Sequence, residues 1–220
     1  MKKIVMLVVL MSLAAACHSG FLHQVGGSGN RQKQIRTVEP FTSISTNGAF
    51  EIEVVSQKPL SIEIEADDNI LPLISTEVSR NVLHIKNVSS YSVSKPVVLR
   101  ISVPNLESIS ADGAGSFEIE GLKNDKFEID VNGAPDIKVS GETKLVDIKT
   151  NGAGKIDTQR LRAARAVVDS NGVSKVVVHA TDQLDVTVSG PSHVTYEGDP
   201  VVNKNVNGPG SVTKKASTVS

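Results

Sequence analysis

From residue 105 onward, apolar and polar residues alternate, and a small polar residue followed by glycine interrupts the alternation at nearly constant intervals. Alternation with a period of two is typical of β-strands that bury one face. Each unit therefore predicts two short strands joined by a tight turn. Successive turn glycines are 20, 19, 20, 18 and 18 residues apart, and they are Gly113, Gly133, Gly152, Gly172, Gly190 and Gly208.

The apolar face of each strand becomes visible when the six units are aligned on the turn glycine. The fourth residue after the glycine is apolar in every unit, as Phe117, Ile137, Ile156, Val176, Val194 and Val212. The fourth residue before it is Lys204 in the last unit and is apolar in the others, as Ile109, Ile129, Ile148, Val168 and Val186. We expect these two columns to form the core and the intervening polar residues to face outward.

Two all-β architectures fit such a unit. An Asn-Gly pair between alternating strands is a strong hairpin signal and would give an antiparallel β-meander. Alternatively, each unit is one coil of a β-solenoid, a parallel β-helix-like fold in which equivalent residues of neighbouring coils stack. We predict the solenoid, with about six coils of 18–20 residues, because a residue that can hydrogen-bond along a stack recurs before the glycine.

The recurring residues before the glycine form a predicted structural turn ladder. They are Asp112, Asn132, Asn151, Asn171, Ser189 and Asn207. The glycine that follows each of them is expected to supply a positive φ, which residues with a Cβ atom rarely adopt.

The two halves of the predicted domain differ in regularity. Residues 37–104 are rich in predicted strands but lack the constant spacing of residues 105–215, which form the repeat half. The phrase Asn47-Gly48-Ala49 resembles one more copy of the unit, and residues 67–72 predict a short helical turn. Because the end of a solenoid core needs an atypical unit to shield it, we expect the first half to act as a cap.

The start of the chain indicates export. Lys2 and Lys3 precede an apolar run that ends in three consecutive alanines. This arrangement is typical of a secretory signal peptide, and the apolar run is too short to span a bilayer. Residues 1–16 are therefore predicted to be a signal peptide.

The one cysteine of the chain, Cys17, follows this segment directly. Together with the preceding Leu-Ala-Ala-Ala, it resembles a bacterial lipobox, which implies that Cys17 carries a lipid. The residue after it is His18 rather than aspartate, and by resemblance to enterobacterial sorting this implies attachment to the outer membrane, facing the periplasm. Residues 17–36 are predicted to hold this lipidated cysteine and a flexible tether, whose ~18 residues after His18 reach at most ~60 Å.

The domain also carries a family resemblance. Val-Glu-Pro-Phe-Thr-Ser-Ile at 38–44 and Gly-Ala-Phe-Glu-Ile at 48–52 resemble the opening of the putative auto-transporter adhesin head GIN domain, the DUF2807 family. Asp-Asp-Asn-Ile-Leu at 67–71 and the later Gly-Ala-Gly units are similar to its middle and end. The resemblance covers about residues 37–210. It implies a secreted or lipid-anchored envelope protein with a β-helix-like fold, and it implies no catalytic mechanism.

Composition narrows the class of function. The formal net charge is −1, so the chain lacks the clustered basic excess of a nucleic-acid-binding protein. It contains 31 Val and 16 Ile but only 5 Phe, 2 Tyr and no Trp. β-Branched residues favour strands, and the shortage of aromatic rings leaves few platforms on which a sugar ring could stack.

Neither a cofactor nor catalytic chemistry is indicated. The histidines of the domain, which stand singly, are His84, His179 and His193. No clustered metal-binding motif is present, and the only thiol lies in the lipobox. The outward carboxylates fall into two columns, one with Glu128, Asp147 and Asp185 and the other with Asp130, Lys149 and Asp169. A lysine between two aspartates on neighbouring strands is typical of simple charge pairing.

These observations favour a non-enzymatic, adhesin-like binding or structural module, anchored in the cell envelope through Cys17, with an envelope polysaccharide or protein as its partner. A carbohydrate-active enzyme on the same scaffold is the main alternative, since solenoids with paired carboxylates can cleave polysaccharides. A third alternative is an envelope-stress or assembly factor without a ligand of its own.

Overall fold

The computed structural model describes residues 24–216, so the predicted signal peptide and Cys17 lie outside the described part. One 3₁₀ turn, Leu71–Leu73, occurs in this range, and all other regular elements in it are strands. The strands of the first half are β1 (Val25–Gly26), β2 (Arg31–Arg36), β3 (Ser43–Asn47), β4 (Phe50–Ser56), β5 (Ser61–Asp67), β6 (Ile74–Ser79), β7 (Val82–Asn87), β8 (Tyr91–Ser92) and β9 (Val97–Val103). Those of the repeat half are β10 (Ser108–Ala111), β11 (Ser116–Val131), β12 (Asp136–Thr150), β13 (Lys155–Ser170), β14 (Lys175–Ser189), β15 (His193–Glu197), β16 (Val201–Asn207) and β17 (Ser211–Lys214).

Strands of successive units pair in parallel, with equivalent residues opposite each other. The column after the turn is in register from coil to coil, through Phe117, Ile137, Ile156, Val176, Val194 and Val212. The column before the turn is parallel in the same way, from Ile109 to Lys204. Five register steps join six copies of the unit, so the chain makes about five full turns. The predicted β-solenoid is confirmed, and the antiparallel meander is wrong.

The core lies inside the coils, where the two predicted columns are buried. Ile137 and Ile156 have no exposed surface, and Ile109 and Ile129 are each 1% exposed. Fully burying an aliphatic side chain of this size contributes roughly 1.5–3 kcal/mol, so each buried position of the two columns stabilises the stack. The last coil departs from this pattern, because Val212 is only partly buried and Lys204 is exposed.

Each coil has a second corner, opposite the turn, which the sequence pattern did not mark. Strands β11, β12, β13 and β14 run through it with only local shifts in register. Gly121 and Gly141 take positive φ values of 69° and 137° there, and the side chains of Leu122 and Leu161 fill its interior.

In the first half, the coils are stacked in an order that differs from the sequence. β3 pairs in parallel with β10 on one side and with β7 on the other. β4 lies in the same way between β11 and β9. The strands β7 and β9 therefore form an outer coil, and the chain then returns past β3 and β4 to begin the repeats. Antiparallel strands cover the outer coil, with β6 on β7, β5 on β9 and β2 on β5.

The prediction that the flexible tether extends through residues 17–36 is wrong for its second half. β2 pairs antiparallel with β5, and β1 pairs with β8. Backbone hydrogen bonds rather than apolar side chains hold this segment, and its two large apolar residues, Val25 and Ile35, are 36% and 68% exposed. It therefore carries no hydrophobic signal that could have revealed the strand.

Candidate binding surface

The turn ladder is the most regular polar feature of the molecule. Asn132 donates from Nδ2 to Oδ1 of Asp112 at 3.1 Å, and Asn151 donates to Asn132 at 3.1 Å. Asn171 continues the chain of hydrogen bonds by donating to Asn151 at 3.3 Å. These four side chains thus form one ladder along the solenoid. Ser189 and Asn207 are in register at the equivalent positions of the last coils, and there the backbone N–H of Gly190 donates to the carbonyl of Asn207.

The turn glycines are needed mainly because the backbones of neighbouring coils come close together. A Cβ atom built on Gly152 would overlap the carbonyl oxygen of Gly133, and the same holds for Gly133 against Gly113. Positive φ occurs at Gly190 and Gly208 but not at these three glycines. The expectation of a positive φ at every turn is therefore wrong, and stacking distance explains the glycine instead.

A cluster of buried hydroxyl groups lies beneath the turns and was not predicted. Thr150, Ser170, Ser174 and Ser192 are at most 2% exposed. Ser192 donates to the carbonyl of Gly172 at 2.8 Å and accepts from the backbone N–H of Ser174 at 3.1 Å. Because these groups satisfy one another and the turn backbone, the cluster stabilises the turns and is closed to ligands.

One flat surface, the pre-turn face, consists of the outward residues of β3, β10, β16 and the second halves of β11–β14. Asp147 on β12 lies directly opposite Glu128 on β11. Asp185 lies in the same column on β14, with strand β13 between it and Asp147. Lys149 lies in register between Asp130 and Asp169, as predicted, but none of the ion pairs within residues 24–216 includes it.

Asp185 is the most strongly held carboxylate of the pre-turn face. Asn203 and Gln183 donate to it at 2.9–3.0 Å, and Arg165 Nη2 donates at 2.7 Å. These hydrogen bonds, with that of Asn203 foremost, hold the pKa of Asp185 below its ordinary value. A carboxylate kept ionised in this way suits hydrogen bonding to a ligand better than proton donation.

The opposite surface, the post-turn face, consists of the outward residues of β4, β9, β15, β17 and the first halves of β11–β14. An ion-pair network occupies its capped end, where Arg100 Nη1 lies 2.9 Å from Glu65 and 3.3 Å from Glu63. The hydrogen bond from Lys33 lowers the pKa of Glu63, and that from Arg100 lowers the pKa of Glu65. The network joins the antiparallel cap strands to the first coils.

Two grooves of the described surface are shallow and lined mainly by polar side chains. One of about 530 Å³ lies along the corner, between Asn105–Ser108 and Asn124–Glu128. Another, of about 430 Å³, lies beside His179 at the last coils, and its acids are ion-paired, Glu197 with Lys215 at 2.7 Å and Asp199 with Lys214.

Catalytic and metal-binding arrangements are not brought together in residues 24–216. The three histidines lie apart, and no group of three His, Cys, Asp or Glu side chains in this range is placed to hold a metal ion. The described carboxyl groups with clearly shifted pKa values are all shifted downward, namely Glu63, Glu65, Asp68, Asp185 and Asp199. An acid that cleaves a glycosidic bond needs the opposite shift.

Comparison with known proteins identifies the family. The family model described as "Putative auto-transporter adhesin, head GIN domain" matches residues 40–200. The chain belongs to this family. A search of the curated proteins finds no match.

Solved structures share the GIN-domain fold. A putative adhesin from Bacteroides fragilis is 25% identical, with a TM-score of 0.69 over 86% of this chain and 98% of that one. A putative adhesin from Parabacteroides merdae is 17% identical, with a TM-score of 0.55 over 88% and 99% of the two chains. A protein named as a putative lipid binding protein, from Parabacteroides distasonis, is 20% identical, with a TM-score of 0.52 over 88% and 100%. This GIN-domain protein is therefore an adhesin-like, β-rich module associated with the cell envelope.

The anchor predicted for this GIN-domain protein falls outside the described residues, as Cys17 does. Within residues 24–216, no helix has the length and apolar character needed to cross a membrane.

Proposed function

We propose that the protein is a lipid-anchored, non-enzymatic module of the bacterial outer membrane that binds an envelope polysaccharide or protein through its flat outward faces. The observation that carries this proposal is the parallel, in-register stacking of polar columns on both faces. Equivalent side chains then repeat every ~4.8 Å along the solenoid. A surface of this kind offers many weak, regularly spaced contacts to an extended partner, and their combined strength can exceed that of any single contact.

The surface chemistry supports binding by hydrogen bonds and charge rather than by ring stacking. Phe41, Phe50, Phe117 and Phe127 are all buried, and the described tyrosines, Tyr91 and Tyr196, are partly buried against the core. The lowered carboxyl pKa values and the shallow grooves argue for retention of a partner without its cleavage.

The fold shortens the predicted tether. Residues from Gln24 onward are ordered against the cap, so only six residues separate them from Cys17, and the seven steps along the chain reach at most ~25 Å. A lipid on Cys17 would hold the capped end near the membrane and direct the repeat half away from it.

Fractionation of cells tests the anchor. The wild-type protein should partition with membranes and carry acyl mass on Cys17, whereas Cys17→Ser should move to the soluble envelope fraction. A wild-type protein that is soluble after lysis and lacks acyl mass would remove the lipid anchor from the proposal.

A glycan array, run beside a reducing-sugar release assay on the glycans that bind, tests the function. We expect retention of glycans without release of reducing ends. Steady release at a rate proportional to protein concentration would instead establish the carbohydrate-active enzyme.

A further inference from the structure

Three lysines on the post-turn face form a surface that we name the cationic strip, consisting of Lys138, Lys155 and Lys175. Lys155 on β13 lies directly opposite Lys175 on β14, and His193 on β15 continues the same column. Lys138 lies on β12, the strand on the other side of β13. On β12, Asp136 is directly opposite Lys155, and Lys138 is two residues further along the strand. All three lysines are exposed.

The cationic strip lacks internal charge compensation. Within residues 24–216, ten other Lys or Arg side chains form ion pairs, but the three lysines of the strip form none. Three acids lie in register with these lysines, and each makes other contacts. Glu118, opposite Lys138, lies 3.9 Å from Arg160. Asp157 accepts from the backbone N–H of Gln159 at 3.1 Å, and Asp136 keeps Oδ1 buried.

Like charges placed directly opposite each other on neighbouring strands are destabilising. Lys155 and Lys175 have attachment points only ~4.8 Å apart, so their like charges lie close together. Asp136 lies in register on the other side of Lys155, but no described carboxylate forms an ion pair with either lysine. An anion that bridges the two ammonium groups would remove this cost. The arrangement therefore favours a ligand that carries several negative charges at close spacing.

The surroundings of the strip favour a polysaccharide over a protein. Its neighbours on the face are polar except for Val177, which is 9% exposed. The polar neighbours are Ser116, Glu118, Asp136, Asp157, Thr195 and Ser211. The centre of a protein interface is usually apolar and rich in aromatic residues, and the nearby exposed apolar side chain is the isolated Val173.

The position of the strip favours a polymer over the headgroups of the anchoring membrane. Strands β13 and β14 lie five and six strand spacings from β5 in the cap, roughly 24–29 Å at ~4.8 Å per spacing. If Cys17 is lipidated, as the proposed function holds, the cap faces the membrane and the strip faces away from it.

The geometry points to the cationic strip as a binding site for an anionic polysaccharide, with ammonium groups of Lys155 and Lys175 bridged by neighbouring carboxylate or phosphate groups of one polymer chain. This inference deepens the proposed function, because it names the chemical class of the partner and the part of the face that binds it.

Binding of oligogalacturonate, a polyuronate, to the full mature protein in detergent tests the inference, with dextran of equal length as the neutral probe. Lys155→Gln with Lys175→Gln should weaken binding of the polyuronate at least about tenfold, or 1.4 kcal/mol. Lys58→Gln with Lys95→Gln, two exposed lysines in loops of the first half, makes the same change in net charge and should weaken it less than about threefold. Lys155→Arg with Lys175→Arg keeps the charges and should keep binding.

The glutamine double variant should melt at the same temperature as the wild type or higher, since it relieves repulsion. Absence of polyuronate binding by the wild type, or equal losses in the strip and loop variants, would overturn the inference. Tighter binding to polyglutamate would assign the strip to an acidic protein, and equal competition by phosphatidylglycerol added to the detergent micelles would assign it to headgroups. Either of these two results would also overturn the inference of an anionic polysaccharide. The measurement of polyuronate binding does not depend on the lipid. If the proposed lipid anchor on Cys17 is wrong, the Cys17→Ser fractionation shows this separately.

Discussion

Replacing Gly152 with alanine should destabilise the solenoid by pushing two coils apart. The added Cβ atom would overlap the carbonyl oxygen of Gly133 on the neighbouring coil. That same oxygen accepts the hydrogen bond from the backbone N–H of Ala153 at 3.0 Å. The neighbouring atoms belong to the backbone, so no flexible side chain can move aside to make room.

The expected change in the free energy of unfolding follows from three contributions. Forcing an extra carbon into packed structure costs about 1–3 kcal/mol, and weakening the Ala153–Gly133 hydrogen bond costs about 0.5–1.5 kcal/mol. The lower backbone entropy of alanine in the unfolded chain offsets about 0.4–1 kcal/mol. The net destabilisation should therefore be about 0.5–4 kcal/mol.

Urea unfolding followed by circular dichroism measures this change as a shift of the midpoint at constant slope. Gly26→Ala is the matched control, because a Cβ atom there meets nothing within 4 Å. Gly152→Asn separates the two possible reasons for glycine, since asparagine tolerates positive φ but still has a Cβ atom. If Gly152→Ala is as stable as Gly26→Ala, or if Gly152→Asn is tolerated while Gly152→Ala is not, close approach of the coils is not the cause.

Three further predictions test the stacking and the charges. Ile137→Asp should destabilise the protein by more than about 4 kcal/mol because it buries an unpaired charge, whereas Glu128→Gln should cost at most about 1 kcal/mol, as for an exposed ion pair; similar urea midpoints would contradict the assignment of faces. A double-mutant cycle between Asn132→Ala and Asn151→Ala should give a coupling above about 0.5 kcal/mol, and additivity would argue against the side-chain ladder. Glu65 and Glu63, the two glutamates that Arg100 bridges, have lowered pKa values in the folded state. Their contribution to the free energy of unfolding is therefore present above the unfolded pKa of about 4.3, and it is lost as the pH falls through the lower pKa of the folded state. The urea midpoint should therefore fall between about pH 5 and pH 3, and Arg100→Gln should flatten that fall; an unchanged pH profile would exclude the network as its source.

The repeat half was predictable because its sequence signal and its packing have the same period. Each coil buries equivalent positions, so columns such as Phe117 to Val212 are visible in the sequence before the fold is known. The turn residues carried a second signal, since Asn132, Asn151 and Asn171 recur where a hairpin would accept several residue types. Alternation also separated the outward carboxylates from the core.

The first half was less predictable because its order depends on contacts between distant segments. Nothing local in β7 or β9 indicates that they pair on the outer side of β3 and β4. The edge strand β2 is polar on both sides, so only its backbone hydrogen bonds define it. The alignment on the turn glycines already places Lys155 and Lys175 in one column, three residues after Gly152 and Gly172, but only the structure shows that neither lysine forms an ion pair.

The two ends of the solenoid are protected in different ways, and this difference gives the molecule a direction. At the first end, antiparallel strands cover the core, and the outermost, β2, places Arg31, Lys33 and Arg36 along its edge. At the other end, β16 and β17 have no further described strand beside them, and lysine replaces the core residue at Lys204 and Lys214. A charged residue at an inward position opposes the addition of another strand, because stacking would bury it without a partner. Growth of the stack is thus opposed at both ends, and the side faces remain as the extended surfaces on which a partner can lie.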